Sequence, residues 1–288
     1  MDKREIMAMI ALLDDTDQEV LSAITDNLMK QGQEVVPDLE KAWETTLDEK
    51  LQARLENLIQ DIHFNAVRDD LKRWIQTGSE YVLEGAYYVA KYQFPELSMV
   101  RINEQIETIR KDVWIEINSN LTALEKVKIL NYILFDLHKL TRNNTDFYSP
   151  QNSYINQVLE TRKGNPISLS IVYLAVAWKL GLPIYGVNLP KNFILAYMDE
   201  YRNDDLGYNE EDILFYINPY NKGLAFGEKE ITVYLNKVDL SAEDKYFLPA
   251  SNISVLKEYV IWLQKLFVKP SDMWKVDDLE SLKNILSE

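Results

Sequence analysis

The chain is 288 residues long and carries 46 acidic against 31 basic side chains, a net charge of −15 at neutral pH. Such a field repels phosphate backbones and anionic lipid surfaces, so neither nucleic acid nor a membrane is expected as a partner. Cysteine is absent, which excludes disulfides, thiolate metal sites and any thiol nucleophile. With two histidines in the chain, a zinc site would need carboxylates for its remaining ligands, and we expect no metal and no cofactor.

We expect neither a signal peptide nor a membrane span. Its first five residues, Met1 to Glu5, are mostly charged, and its longest apolar run, Ile171 to Trp178, has 8 residues. A spanning helix needs about 20 apolar residues. We therefore expect a cytoplasmic protein with room for two or three compact units.

Residues 1–64 are predicted to form HEAT-like helical hairpins. Thr16 and Glu19 can open one helix with a capping box, and Thr46 and Glu49 can open another helix 30 residues later. The apolar residues that follow recur at matching positions in both helices. Units of this kind bury their apolar stripe against the next unit.

Residues 65–150 continue the helical pattern and are predicted to form a linker region that packs on the core. Thr122 and Glu125 predict one further capping box within it. Polar, turn-prone residues from Arg142 to Gln151 then mark a loop.

Residues 151–250 are predicted to combine helix and sheet. Ser168 to Leu180 is apolar on nearly all sides, which predicts a buried helix, and Gly181 and Pro183 end it. Strands are predicted over residues 184–188, 193–198 and 213–218. Residues 251–288 return to a helical pattern.

An acidic insert, Asp199 to Asp212, separates the last two predicted strands. It contains seven acidic residues and one arginine. This carboxylate density suggests calcium, but the spacing matches no ion-binding loop and the glycine placement differs. We expect a solvated hairpin loop.

Four motifs carry a resemblance to a known family. They are Asn152 to Ser170 with its Arg162-Lys-Gly-Asn-Pro166 run, Gly181-Leu-Pro183, Gly186-Val-Asn-Leu-Pro190 and Ile217-Asn-Pro-Tyr-Asn-Lys-Gly223. Together they resemble the bacterial SirB-type branch of the transglutaminase-like superfamily over roughly Tyr92 to Gly227. The resemblance implies an α+β, mostly helical protein. Its transglutaminase-like (papain-like) core would hold a small antiparallel sheet over 151–250, and a tetratricopeptide-like helical tail would cover 251–288.

Active members of that superfamily use a Cys at the start of the central helix, a His on the next strand and an Asp on the strand after it. A helix start lowers the pKa of a thiol and stabilises the oxyanion. The resemblance places these positions near Pro166 to Ser168, at Asn192 and at Asn218. Because a carboxamide takes up no proton at neutral pH, neither Asn can act as the base. The triad is therefore expected to be vestigial.

Amides and aromatic rings remain around these positions, and they form the predicted binding cleft: Asn152, Tyr154, Arg162, Asn165, Asn188 and Tyr220. Asn side chains donate and accept hydrogen bonds, which suits a peptide backbone, but Asn also commonly caps turns. The sequence predicts a non-catalytic scaffold or regulator with a protein or peptide partner.

Two alternatives stay open. Ser168 can be the nucleophile of a hydrolase or amide-transfer enzyme if His138 or His63 folds back to serve as its base. The protein can instead be a purely structural oligomer whose pocket is filled by its own side chains.

Overall fold

The structure, a computed structural model, describes residues 2–201 and 207–287. It divides into two compact units, Met1–Arg73 and Trp74–Glu288. The protein is mostly helical with a small antiparallel sheet, which confirms the predicted α+β class. None of the helices in the described ranges is long and apolar enough to cross a membrane. The four-part domain division stays a prediction.

Helices account for most of the first unit. They are α1 (Lys3–Ala11), α2 (Gln18–Gln31), α3 (Val36–Thr45) and most of α4 (Glu49–Gln76). Their apolar faces share one core, in which Leu28, Leu39 and Leu55 are fully buried.

The capping boxes predicted at Thr16 and Thr46 are wrong. Asp17 Oδ1 accepts a hydrogen bond from the Glu19 N–H at 2.9 Å at the start of α2. Asp48 Oδ1 accepts from the N–H groups two and three residues further on at 2.8 and 3.0 Å at the start of α4. Aspartate is a better N-cap than threonine, and its charge also interacts favourably with the helix dipole.

The second unit contains the helices α5 (Val82–Gln93), α6 (Met99–Glu116), α7 (Ala123–Asn131), α8 (Ile155–Thr161), α9 (Pro166–Lys179), α10 (Glu228–Lys237), α11 (Asn252–Gln264) and α12 (Met273–Ile285). The predicted capping box at the start of α7 is confirmed, since Thr122 Oγ1 accepts from the Glu125 N–H and Glu125 Oε2 accepts from the Thr122 N–H. A π-helical turn, Tyr132–Leu137, follows α7.

Two sheets complete the second unit. A short parallel pair joins β1 (Thr141–Arg142) to β2 (Lys163–Gly164). The larger sheet is antiparallel, and its strands follow one another in the order β3 (Ile184–Val187), β4 (Ile194–Met198), β5 (Ile213–Asn218) and β6 (Leu224–Phe226). Strands β3, β4 and β5 were predicted from the sequence. Strands β1, β2 and β6 were not predicted, because they are only two or three residues long.

The outer edge of β3 is covered by the protein itself. Trp178 Nε1 donates to the Ile184 carbonyl at 2.6 Å, and the Ala250 N–H donates to the Gly186 carbonyl at 2.8 Å. The carbonyl groups that β3 turns away from the sheet are therefore already bonded at these two positions.

The acidic insert joins β4 to β5. At its base the Asp199 N–H donates to the Asp212 carbonyl at 2.7 Å, and the two strands pair antiparallel. Residues 202–206 of the predicted hairpin loop lie outside the described residues.

Helix α9 lies at the centre of the second unit. Every residue from Pro166 to Ala177 is buried, as predicted for a helix that is apolar nearly all round. It packs against α5, α6, β3 and the turn that follows β5. The chain reverses through residues 180–183, so the start of α9 and the end of β3 lie at the same end of the unit.

Gly223 and Gly181 form a matched pair for a stability test. Both have a positive φ, 70° and 69°, but a Cβ on Gly223 would overlap the Asn131 carboxamide, whereas a Cβ on Gly181 meets nothing within 4 Å. We expect Gly181→Ala to lower the free energy of unfolding by about 1–2 kcal/mol through backbone strain. Gly223→Ala should lower it by about 2–5 kcal/mol, because overpacking adds to that strain.

Urea denaturation of both variants measures the difference. Equal losses would mean that Asn131, whose Nδ2 donates to the Gly223 carbonyl at 2.7 Å, moves aside without cost.

Candidate functional site

Ser168 lies in the first turn of α9 and has no exposed surface. Its N–H donates to Asn165 Oδ1 at 2.9 Å, and the Asn165 N–H donates to Ser168 Oγ at 3.0 Å, which makes a reciprocal capping box. Ser168 Oγ in turn donates to the Asn152 carbonyl at 2.6 Å. The hydroxyl is engaged in holding the start of the helix and is closed to solvent.

Asn165 and Asn152 are buried beside Ser168. Asn165 Nδ2 donates to Ser153 Oγ at 2.8 Å. Asn152 Nδ2 donates to the Asp146 carbonyl at 2.6 Å, and Asn152 Oδ1 accepts from Asn143 Nδ2 at 2.9 Å. These two predicted cleft residues tie the loop before α8 to the start of α9.

Tyr154 and Arg162 lie at the two ends of α8. The Tyr154 ring is buried edge-on against Phe94 with centroids 5.3 Å apart, and burial raises the pKa of its phenol. Arg162 ends the helix with φ 62°, and its carbonyl accepts from the Thr141 N–H at 2.8 Å. The Tyr154 hydroxyl and Arg162 Nη1 are buried without a hydrogen-bond partner in the described part of the chain. Both residues belong to the packing around α8.

Asn188 and Asn192 flank the turn between β3 and β4, and they line an open cavity of about 610 Å³, here called the amide cleft. Asn188 Nδ2 donates to Ser254 Oγ on α11 at 2.9 Å. Asn192 Oδ1 accepts from the Phe193 N–H at 2.9 Å. The opposite wall comes from the segment before α11 and from α11 itself: Tyr246, Leu248, Pro249, Ala250 and Ser254.

Charged side chains also line the amide cleft, namely Lys191, Lys245, Lys265 and Glu258. Lys245 Nζ lies 2.6 Å from Glu243 Oε2, and its hydrogen bond to that carboxylate raises the pKa of Lys245. With Lys245 paired to Glu243, Lys191 and Lys265 against Glu258 leave the lining slightly basic on a chain of net charge −15. These charged residues were not predicted, because no local sequence pattern places the segment before α11 beside the β3–β4 turn.

Asn218 and Tyr220 belong to the turn after β5. Asn218 Oδ1 accepts from the Asn221 N–H at 3.2 Å, which caps the turn. Arg142 lies over the Tyr220 ring, with its Cζ 5.9 Å from the centroid. Burial raises the pKa of the Tyr220 phenol, and the charge of Arg142 opposes that rise. The cavity here measures about 120 Å³, too small for a peptide.

The fold brings the three predicted triad positions to one end of the second unit. Leu195 pairs with Ile217, so the start of β4, after Asn192, and the end of β5, at Asn218, lie together. The start of α9, with Ser168, lies at the same end. Their surroundings nevertheless differ: Ser168 is sealed, Asn192 lines the amide cleft and Asn218 caps a turn.

Among the described residues, neither histidine is hydrogen-bonded to Ser168. His138 Nε2 lies 2.7 Å from Asp112 Oδ2. His63 belongs to the first unit, where its Nδ1 lies 3.4 Å from Gln33 Nε2. Within residues 2–201 and 207–287, no three histidine, aspartate or glutamate side chains converge to hold a metal ion.

The role of Ser168 can be measured against Ser170, which is also fully buried on α9 and donates from Oγ to the Pro166 carbonyl at 2.8 Å. We expect Ser168→Ala to lower the free energy of unfolding by about 1–2 kcal/mol, because it removes two buried hydrogen bonds of the hydroxyl, one from the Asn165 N–H and one to the Asn152 carbonyl. Ser170→Ala should cost less than about 0.5 kcal/mol, because Pro166 keeps its helical hydrogen bond. Chemical denaturation compares them, and a larger loss for Ser170→Ala would contradict the capping role.

Comparison with known proteins gives two kinds of match. A family model described as the transglutaminase-like superfamily matches residues 100–260. Human F-box only protein 21 is 31% identical over 188 residues, which cover 57% of this chain and 30% of that protein. A UPF0162 protein of Xylella fastidiosa is 29% identical over 154 residues, 52% of this chain and 50% of that protein. The chain therefore spans half or less of the length of these relatives, and no solved structure matches it.

Proposed function

Because the chain belongs to the transglutaminase-like superfamily, we propose that it is a non-catalytic member that binds a short polypeptide segment in the amide cleft. The contrast between two triad positions carries the proposal. Ser168 is sealed and hydrogen-bonded within the protein, whereas Asn192 lines an open cavity. Asparagine thus stands at the predicted positions of the triad His and Asp, and Ser168 is closed to solvent. The cavity beside Asn192 is open to a ligand.

Three features support the absence of catalysis. An attack by Ser168 Oγ would first have to break its bond to the Asn152 carbonyl and open a fully buried helix start. Asn192 and Asn218 carry carboxamides, which accept no proton at neutral pH. His138, the nearer of the two histidines in sequence, lies against Asp112.

The lining of the amide cleft supports polypeptide binding. Its volume of about 610 Å³ falls within the range of about 300–1,000 Å³ typical of ligand pockets. Asn192 uses its oxygen on the Phe193 N–H, and no described hydrogen bond engages its NH₂ group, which remains for a ligand carbonyl. Lys191 and Lys265 would favour acidic side chains in the bound segment.

Peptide selection tests the binding function. A displayed library of short random peptides, selected on the full chain, is expected to yield binders whose affinity is measured by fluorescence anisotropy. Asn192→Ala should weaken them about fivefold to thirtyfold, because a hydrogen bond of about 1–2 kcal/mol is lost. Asn236→Ala, at an exposed asparagine of α10 outside the cleft, should not. Binders indifferent to both Asn192→Ala and Lys191→Gln would place recognition elsewhere.

A fluorophosphonate probe tests the hydrolase alternative directly. Such probes react with activated serine hydroxyls, and we expect the native chain to stay unlabelled beside a serine hydrolase that labels in the same tube. Labelling that persists in Ser170→Ala but disappears in Ser168→Ala would contradict a non-catalytic protein. Comparing Ser168→Ala with Ser170→Ala distinguishes the loss of a nucleophile from a general effect of substituting a buried serine of α9.

Two finer assignments belong to the same proposal. The Gly164-Asn-Pro166 and Asn218-Pro219 motifs support membership of the SirB-type branch. The complete absence of cysteine is compatible with a cytoplasmic location. A purely structural oligomer would need the cleft to be filled by its own side chains, and the open volume favours a ligand instead.

A further inference from the structure

The first unit contains a basic concavity of about 450 Å³. Lys30 reaches it from the last turn of α2, and Arg68 and Lys72, four residues apart, reach it from one face of α4. Asp69 is the acidic member of the lining. The surrounding unit has the opposite charge, since residues 1–60 carry 14 acidic and 6 basic side chains. The concavity is therefore a positive site on a negative unit.

Arg68 is the residue that indicates a ligand. Its Cζ lies 5.9 Å from the centroid of the Phe64 ring, which supports one face of the guanidinium. Its Nη1 makes a long hydrogen bond of 3.5 Å to Asn65 Oδ1. Its Nε is buried and has no hydrogen-bond partner among the residues that the structure describes. An unpaired buried donor of this kind costs about 1–3 kcal/mol, so it normally bonds to water or to an anion.

We propose that this concavity is an oxyanion site, which takes a carboxylate or phosphate group presented by a polypeptide partner. The planar guanidinium of Arg68 can donate two hydrogen bonds to one oxyanion. The ammonium groups of Lys30 and Lys72 add attraction without a fixed direction. Three cations on a chain of net charge −15 cannot hold a polyanionic backbone, so a discrete group on a protein fits the site better than nucleic acid.

This site is independent of the amide cleft, because all its lining residues lie in the first unit and those of the cleft lie in the second. Its ligand is also recognised differently. The amide cleft offers hydrogen bonds to a polypeptide backbone, whereas the oxyanion site recognises one negative group. Failure of either proposal leaves the other standing.

The test uses the full chain, inorganic phosphate as the probe, and the arginine Nε–Hε signals in ¹H–¹⁵N NMR spectra as the readout. The signal that disappears in Arg68→Lys is assigned to Arg68. Phosphate added at constant ionic strength is expected to shift this signal with a roughly millimolar dissociation constant, as suits a single small anion. Lys30→Gln should weaken binding about twofold to fivefold, because one exposed charge is lost.

Lys50→Gln is the matched control. It makes the same charge change at an exposed residue of α4 outside the concavity, so it should leave the affinity unchanged. An Arg68 signal that responds to phosphate no more than to chloride overturns the proposal. Equal weakening by Lys30→Gln and Lys50→Gln also overturns it, since it would show a response to net charge alone.

Three capped peptides then identify the source of the oxyanion, each with a single phosphoserine, glutamate or serine between glycines. Tighter binding of the phosphoserine peptide assigns the site to phosphorylated partners. Equal or tighter binding of the glutamate peptide assigns it to acidic partners. If neither peptide shifts the Arg68 signal more than the serine peptide does, the site does not recognise an oxyanion on a polypeptide.

Discussion

The reciprocal hydrogen bonds between Asn165 and Ser168 are the interaction on which the second unit depends. Helix α9 is buried from its first residue, so water cannot reach the N–H groups that every helix leaves unpaired at its start. The Asn165 side chain accepts a hydrogen bond from one of these groups, the Ser168 N–H. Ser168 Oγ in turn donates a hydrogen bond to the Asn152 carbonyl. The central helix, the loop before α8 and the sheet packed on α9 are thereby held in one arrangement. A hydroxyl used in this way serves stability, at the position where the resemblance predicts a vestigial nucleophile.

The three predicted triad positions lie at one end of the second unit but have different surroundings. α9, β4 and β5 still bring Ser168, Asn192 and Asn218 to one end of the unit. Hydrogen bonds and burial then give these residues separate roles in a helix cap, a cleft wall and a turn. A fold of this kind sets where a site can be built, and the side chains decide what the site does. For that reason family membership alone does not give this protein a function, and the proposal depends on the amide cleft as well.

Local pattern predicted the fold well where one segment determines its own structure. The all-round apolar character of α9, the strand-like apolar segments of β3 to β5 and the capping box at Thr122 are examples. The sequence did not show which of two neighbouring polar residues would cap a helix. Aspartate, and not the predicted threonine, accepts the capping hydrogen bonds at the start of α2 and α4. The family motifs located Ser168, but burial depends on contacts between distant segments. Asn188 and Asn192 were predicted as site residues, but the wall of the amide cleft drawn from residues 245–265 left no signal for the same reason.

The covered edge of β3 restricts how the amide cleft would recognise the proposed polypeptide segment. An open strand edge would let almost any extended chain add to the sheet through its main chain, with little regard for sequence. Here Trp178 and the Ala250 N–H already occupy the outward carbonyls of Ile184 and Gly186. Binding beside this strand must therefore come from amide, hydroxyl and ammonium groups at fixed places, and these distinguish one sequence from another. The same protection keeps neighbouring copies from joining through β3 into a continuous sheet.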